Sequence, residues 1–140
     1  MFTFIKLKIS LVILMVMGFL NSFGQSKTYV KKYFENGQIE SEGWIQEDQK
    51  IDYWYFYYEN GNKKEEGHFT YNKKTKWWLS YDDNEILQKK CQFYNDKLEG
   101  LVIIYRNGSI IRAEKYKMNI KIKQWETISA FRKDNILTSL

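Results

Sequence analysis

Tyr53-Trp54-Tyr55-Phe56-Tyr57-Tyr58-Glu59-Asn60-Gly61-Asn62 sets six aromatic residues in a row ahead of an Asn-Gly pair. Aromatic side chains favour strands. Asn-Gly between two strand-like runs is the strongest short hairpin signal, because both central residues of a type I′ turn need positive φ. The return strand reads as Lys63 to Thr70, and Gly67 inside it signals a bulge or a close backbone contact. Tyr71 to Lys76 reads as a polar connector into Trp77-Trp78.

The same pattern recurs along the chain. Phe34-Glu35-Asn36-Gly37 returns as Tyr58-Glu59-Asn60-Gly61, Tyr81-Asp82-Asp83-Asn84 and Tyr105-Arg106-Asn107-Gly108, with the leading aromatics 24, 23 and 24 residues apart. Twenty residues after each one stands a large apolar residue: Trp54, Trp78, Leu101 and Trp125. A fixed period of this size marks units that bury their apolar faces against their neighbours. Asn36, Gly37, Asn60, Gly61, Asn107 and Gly108 are the expected turn positions, and Trp54, Trp78 and Trp125 the expected packing positions. Glu42-Gly43 and Glu66-Gly67 share one offset from their turns. The units fall near 33–54, 57–78, 80–101 and 104–125, with a partial unit over 126–140.

About ten short strands joined by turns at regular spacing give an all-β chain. Turns this short cannot carry parallel crossovers, so the strands must run antiparallel. The chain has no proline, which suits nearly continuous strand and tight turn. The expected fold is an elongated single-layer twisted antiparallel sheet of about four to five β-hairpins with a period of ~24 residues. Stacked aromatics would supply most of its thin core.

Residues 1–24 read as a secretory signal peptide: basic Lys6 and Lys8, the uncharged apolar run Ile9 to Leu20, then Asn21-Ser22-Phe23-Gly24 with small residues ahead of the cut. Cleavage is expected after Gly24, giving an exported chain, periplasmic, envelope-bound or extracellular; an uncleaved anchor is the alternative. The run is shorter than the roughly 20 apolar residues of a membrane span. Without Lys6 and Lys8 the 22 basic residues fall to 20 against 17 acidic ones, a net charge of +3. Acids interleave with the lysines, so no nucleic-acid partner is expected. The single cysteine, Cys91, cannot form an internal disulfide and reads as a small strand residue.

The units resemble MORN repeats, and more closely the MORN-variant repeats of bacterial proteins. The pattern is an aromatic, Asn-Gly, a short strand with Glu-Gly, a polar connector, then Trp and aromatics. Phe34 to Trp54 and Tyr58 to Trp78 fit it well; Tyr81 to Leu101 and Tyr105 to Trp125 fit in part. The connectors Ile51-Asp52-Tyr53-Trp54 and Thr75-Lys76-Trp77-Trp78 lack the family's glycine, whereas Glu99-Gly100-Leu101 keeps it and loses the tryptophan. The resemblance implies protein scaffolding or contact with membrane phospholipid. It also implies an antitoxin-like component of a toxin–antitoxin system, a role that sits awkwardly with a signal peptide.

No catalytic constellation, metal site or cofactor motif emerges, so an enzyme is not expected. His68, the one histidine, lies between Gly67 and Phe69 on an expected strand with no nucleophile beside it. Asp82, Asp83 and Glu85 offer too few oxygens for calcium and read as turn chemistry. Adjacent aromatics cannot both face one side of a strand, so one set packs and the other is accessible. Tyr53, Tyr55, Tyr57 and Trp77 are the expected accessible row, able to dock a protein, stack on a sugar or hold a quaternary ammonium group. The leading expectation is a non-catalytic interaction module with a protein partner. A wall-polysaccharide binder is the second: Gly43-Trp44 with Tyr53-Trp54-Tyr55 resembles choline- and glucan-binding repeats. An anionic-lipid binder using Lys63, Lys64, Lys73, Lys74 and Lys76 is the third.

Overall fold

The computed structural model describes residues 26–137, so the leader read over 1–24 lies outside the described residues. The strands are β1 (Thr28–Tyr33), β2 (Ile39–Gln46), β3 (Gln49–Tyr57), β4 (Lys63–Thr70), β5 (Lys73–Tyr81), β6 (Leu87–Tyr94), β7 (Lys97–Arg106), β8 (Ser109–Lys117) and β9 (Ile120–Trp125), followed by helix α1 (Ile128–Leu137). Each strand pairs antiparallel with its predecessor, and the order across the sheet is the order in the chain. The fold is an open, single-layer hairpin sheet of nine strands rather than about ten.

Two sets of turns line its two rims. Along one rim, Phe34 N donates to Gln38 O and Gly37 N to Phe34 O, and the same bonds join Tyr58 with Asn62 and Gly61 with Tyr58. Gly37 and Gly61 have positive φ, but Asn36 and Asn60 do not. These loops are therefore type I turns closed by one left-handed residue and a bulge, not the expected type I′ turns. Asn36 and Asn60 accept through Oδ1 from the amides two residues on, Gln38 and Asn62, and donate from Nδ2 to the following unit, to Glu59 O and Asp83 O. The third loop repeats the backbone bonds, from Asp82 N to Ile86 O and from a left-handed Glu85 N to Asp82 O, 24 residues after Tyr58 and Gly61. There Asp82 Oδ1 takes the Ile86 amide in place of an Asn. The aromatic at 81 thus matches Tyr57 and not Tyr58.

Along the other rim, Glu47-Asp48, Tyr71-Asn72, Asn95-Asp96 and Met118-Asn119 are two-residue turns with both residues left-handed. Tyr71-Asn72 alone makes the turn, and Lys73 to Lys76 already belong to β5, where a connector was expected. Asn72, Asp96 and Asn119 each accept from a backbone amide one unit back, on Lys50, Lys74 and Leu98, at 2.7 Å.

Directly paired residues share a face, so the ladders sort the side chains. One face, the tryptophan face, carries Trp54, Phe56, Phe69, Trp78 and Phe93. A single-layer sheet has no second layer to bury a large ring, and here the indoles lie down on the backbone. Trp54 lies over Gly43 and Trp78 over Gly67, so close that a Cβ on either glycine would stand 2.4 and 2.3 Å from the ring. The two indoles donate to main-chain oxygens, Trp44 O at 2.9 Å and His68 O at 3.1 Å. Lys50 and Lys74 roof them, their ammonium groups 4.8 and 3.9 Å from the ring centres, with the alkyl stems covering apolar surface. Phe69 and Phe93 close the sides edge-on, leaving Trp78 only 1% exposed. In the next unit the pair is smaller: Cys91 faces Val102, and Val102, not Leu101, takes the buried position.

The fourth unit breaks the pattern by one residue. Tyr33, Tyr57 and Tyr81 pair with Ile39, Lys63 and Leu87, but Tyr105 pairs with Ile110, one residue sooner. Asn107-Gly108 alone is a true two-residue left-handed turn on that rim. A one-residue slip moves every later side chain to the opposite face. Trp125 therefore pairs with Ala113, itself paired with Ile103, on the face away from Trp54 and Trp78, a correction to its expected place in their row. There it packs edge-on against Phe131 of α1 at 5.2 Å and donates to Asp134 Oδ2. Where a partial fifth hairpin is expected over 126–140, the chain forms α1, which packs on β8 and β9.

Candidate functional site

The other face, the tyrosine face, collects the residues that alternate with the tryptophans. Tyr53, Tyr55 and Tyr57 stand at every second position of β3, with His68 and Glu66 opposite them on β4 and Trp77 beyond on β5. Tyr53 and Tyr55 lie 5.1 Å apart, and His68 meets Tyr53 edge-on at 4.8 Å. Tyr29 and Trp44 extend the platform toward β1, and Lys90 sits 4.9 Å above the Trp77 ring. Over β6–β8 the same face turns polar and aliphatic, with Gln92, Leu101 and Lys115, before Trp125 of β9 is covered by Phe131. The aromatic platform is thus confined to β1–β5.

Two carboxylates are built into it, 24 residues apart. Glu42 accepts from Tyr57 Oη at 2.7 Å and pairs with Lys31 at 3.0 Å. Glu66, 8% exposed, accepts from Tyr81 Oη at 2.5 Å and pairs with Lys63 at 3.3 Å. The Lys63 ammonium also lies between the Tyr55 and Tyr81 rings, at 5.6 and 5.4 Å. Burial, then the Glu66 carboxylate, pushes the Tyr53 phenol up to about 12. Burial first and the bonded carboxylate second also raise Tyr57 and Tyr81. Burial raises Glu42, but the Tyr57 hydroxyl and Lys31 outweigh it and hold the carboxyl below its ordinary value. Burial, then nearby Lys76, pulls His68 below the ordinary imidazole value against an opposing Asp52, and its Nδ1 has no hydrogen-bond partner among the described residues. Both carboxylates are spent on tyrosines and lysines of the sheet itself. Among the described residues no three His, Cys, Asp or Glu side chains gather to hold a metal ion.

The four expected row residues are on one face and all half-buried. They differ in partners: Tyr57 is tied to Glu42, Tyr53 packs against Tyr55 and His68, and lysine ammonium groups lie over the Tyr55 and Trp77 rings. The lysines read as one cluster are separated. Lys63 turns to Glu66 on the tyrosine face, Lys74 to Glu65 and Trp78 on the opposite face, and Lys73 to Asp96 at the rim. Asp82 spends its carboxylate on the amides of Asn84 and Ile86 and on Gln88, which is turn chemistry. Cys91 is a free, buried thiol raised by burial. The Glu42–Tyr57 and Glu66–Tyr81 pairs escaped sequence reasoning, although their common 24-residue offset was available to it.

The geometry defines a class, an open all-β hairpin sheet with one aromatic face and one tryptophan-packed face. No protein family, curated protein or solved structure matches the chain.

Proposed function

We propose that this chain is an exported, non-catalytic repeat module that docks a protein partner on the tyrosine face of β1–β5. The observation that carries the reading is the Tyr53–Tyr55–Trp77 surface: large, half-buried rings set side by side on one face of a β-sheet. Rigid amphipathic rings give contact area at low entropic cost, the property that enriches Tyr and Trp at interfaces. The resemblance to MORN-variant repeats supports a scaffolding role of the same kind. The two carboxylates of this face are engaged by tyrosines and lysines of the sheet itself.

The test places a photo-crosslinking side chain at Tyr55, and separately at exposed Lys89 on the other face, in the full chain expressed in its host. A discrete protein adduct from position 55 that disappears with Trp77→Ser supports the reading. Equal adducts from both positions overturn it. Quenching of tryptophan fluorescence by wall polysaccharide, lost with the same Trp77→Ser change, would move the function to carbohydrate binding.

A further inference from the structure

We propose that the outer edge of β9 takes an extended, acidic segment of another protein by strand addition. β9 pairs with β8 alone among the described residues, so its outward backbone groups are a template for one more strand. Ile120 is 68% exposed and Ile122 54%, which sets apolar side chains beside that free edge. Residues 112–123 carry five cations and one acid, Glu114, itself buried. Lys115, Lys117, Lys121 and Lys123 are exposed and line the last hairpin.

The rest of the sheet shows what such an edge lacks. Lysines of odd strands close on glutamates of the neighbouring even strands: Lys31 on Glu42 at 3.0 Å, Lys32 on Glu40 at 2.8 Å, Lys74 on Glu65 at 2.8 Å. At β9 that rule is met poorly. Lys121 is divided between Glu114, at 3.4 Å, a carboxylate already held by Arg112, and the neutral Gln124 Oε1 of its own strand, at 2.6 Å, and Lys123 turns instead to Asp134 of α1. A strand bearing carboxylates on the outer side would complete the pattern. A second copy does not fit. Its end strands are β1, with Lys31 and Lys32, and β9 itself, and neither carries an Asp or Glu to meet the lysines of this edge. This edge is at the far end of the sheet from the aromatic platform, so the two readings stand or fall separately.

The test uses the full chain, isotope-labelled, and three synthetic probes: a peptide alternating glutamate and valine, its lysine–valine counterpart, and the acidic peptide N-methylated at alternate amides. The acidic peptide should slow hydrogen exchange of the Ile120–Trp125 amides, and the other two should not. The double variant K121E/K123E should bind the acidic peptide about tenfold more weakly or worse. Failure of the acidic peptide to protect any β9 amide overturns the proposal. So does equal binding of the N-methylated peptide, which would reveal mere charge attraction, or unchanged binding to K121E/K123E.

Discussion

Gly67 and Trp78 are a single packing unit: the indole rests on the glycine backbone, and a Cβ at 67 would stand 2.3 Å from the ring. Lys74 holds the ring from above and His68 O binds its Nε1. The ring cannot lift without losing both. Gly67→Ala should therefore destabilise the fold by about 3 kcal/mol, the upper range for overpacking. Urea unfolding measures this. Gly67→Cys with Trp78→Val recreates the Cys91–Val102 pair of the next unit and should recover part of the loss. If the double change is no better than Gly67→Cys alone, close ring–backbone contact is not what makes residue 67 a glycine.

Lys76 and Asp52 adopt positive φ, 59° and 56°, at the offset where the next unit has Gly100. A left-handed conformation costs an L-residue roughly 1–2 kcal/mol, and glycine escapes it. Lys76→Gly should raise stability by about 1 kcal/mol, seen as a higher urea midpoint at unchanged slope. A lower midpoint would mean that the Lys76 side chain contributes more than its backbone strain costs.

Gly61 has φ +87, and a Cβ there would meet nothing nearer than Gln38 Oε1 at 3.4 Å. The cost of replacing it is therefore backbone strain alone. Gly61→Val should lose about 1–2 kcal/mol and Gly61→Asn much less, because Asn visits the left-handed region readily. Exposed Lys73→Ala should change thermal stability little beyond a surface ion pair's worth. Equal melting of Gly61→Val and wild type would contradict the turn geometry.

The long-period features of this fold were legible because they are written in residue identity: Asn-Gly at 36–37 and 60–61, Trp at 54 and 78, Glu-Gly at 42–43 and 66–67. The finer geometry was not. Asn-Gly serves both a type I′ turn and a type I turn with a bulge, and only the hydrogen bonds of Phe34 and Tyr58 tell them apart. The third unit substitutes Glu85 at the left-handed position and leaves Tyr81 as the nearest aromatic, so matching by aromatics shifted that unit by one. Trp125 then looked equivalent to Trp78, although a turn one residue shorter had already moved it to the other face. On the tyrosine face, alternation placed Tyr53, Tyr55, Tyr57 and Trp77 together. It could not show that Tyr57 is bound to a carboxylate fifteen residues away.

Stability should fall at both ends of the pH range, for opposite reasons. His68 has a depressed imidazole pKa, so its contribution is present above the ordinary value of about 6.5 and is lost as pH falls below it. Tyr53, Tyr57 and Tyr81 are raised, so theirs is present below about 10 and lost as pH rises past it. Urea midpoints across pH should trace a plateau with two falling limbs. His68→Phe should flatten the acid limb, and Tyr57→Phe with Tyr81→Phe the alkaline one. An acid limb unchanged in His68→Phe would assign it to carboxylates such as Glu42 instead.

Each strand of this sheet touches only its chain neighbours, so damage at one end should stay there. The C-terminal end is held on the tyrosine face by Trp125 against Phe131 and by Lys123 with Asp134. Phe131→Ala removes the edge-on ring contact and uncovers an indole that is now 6% exposed. Hydrogen exchange should quicken in β9 and α1, while the amides of β3–β5, locked under Trp54 and Trp78, keep wild-type protection. A uniform loss of protection along all nine strands would show instead that the sheet unfolds as one unit, with the Trp125 cluster as much a part of its core as the Trp78 one.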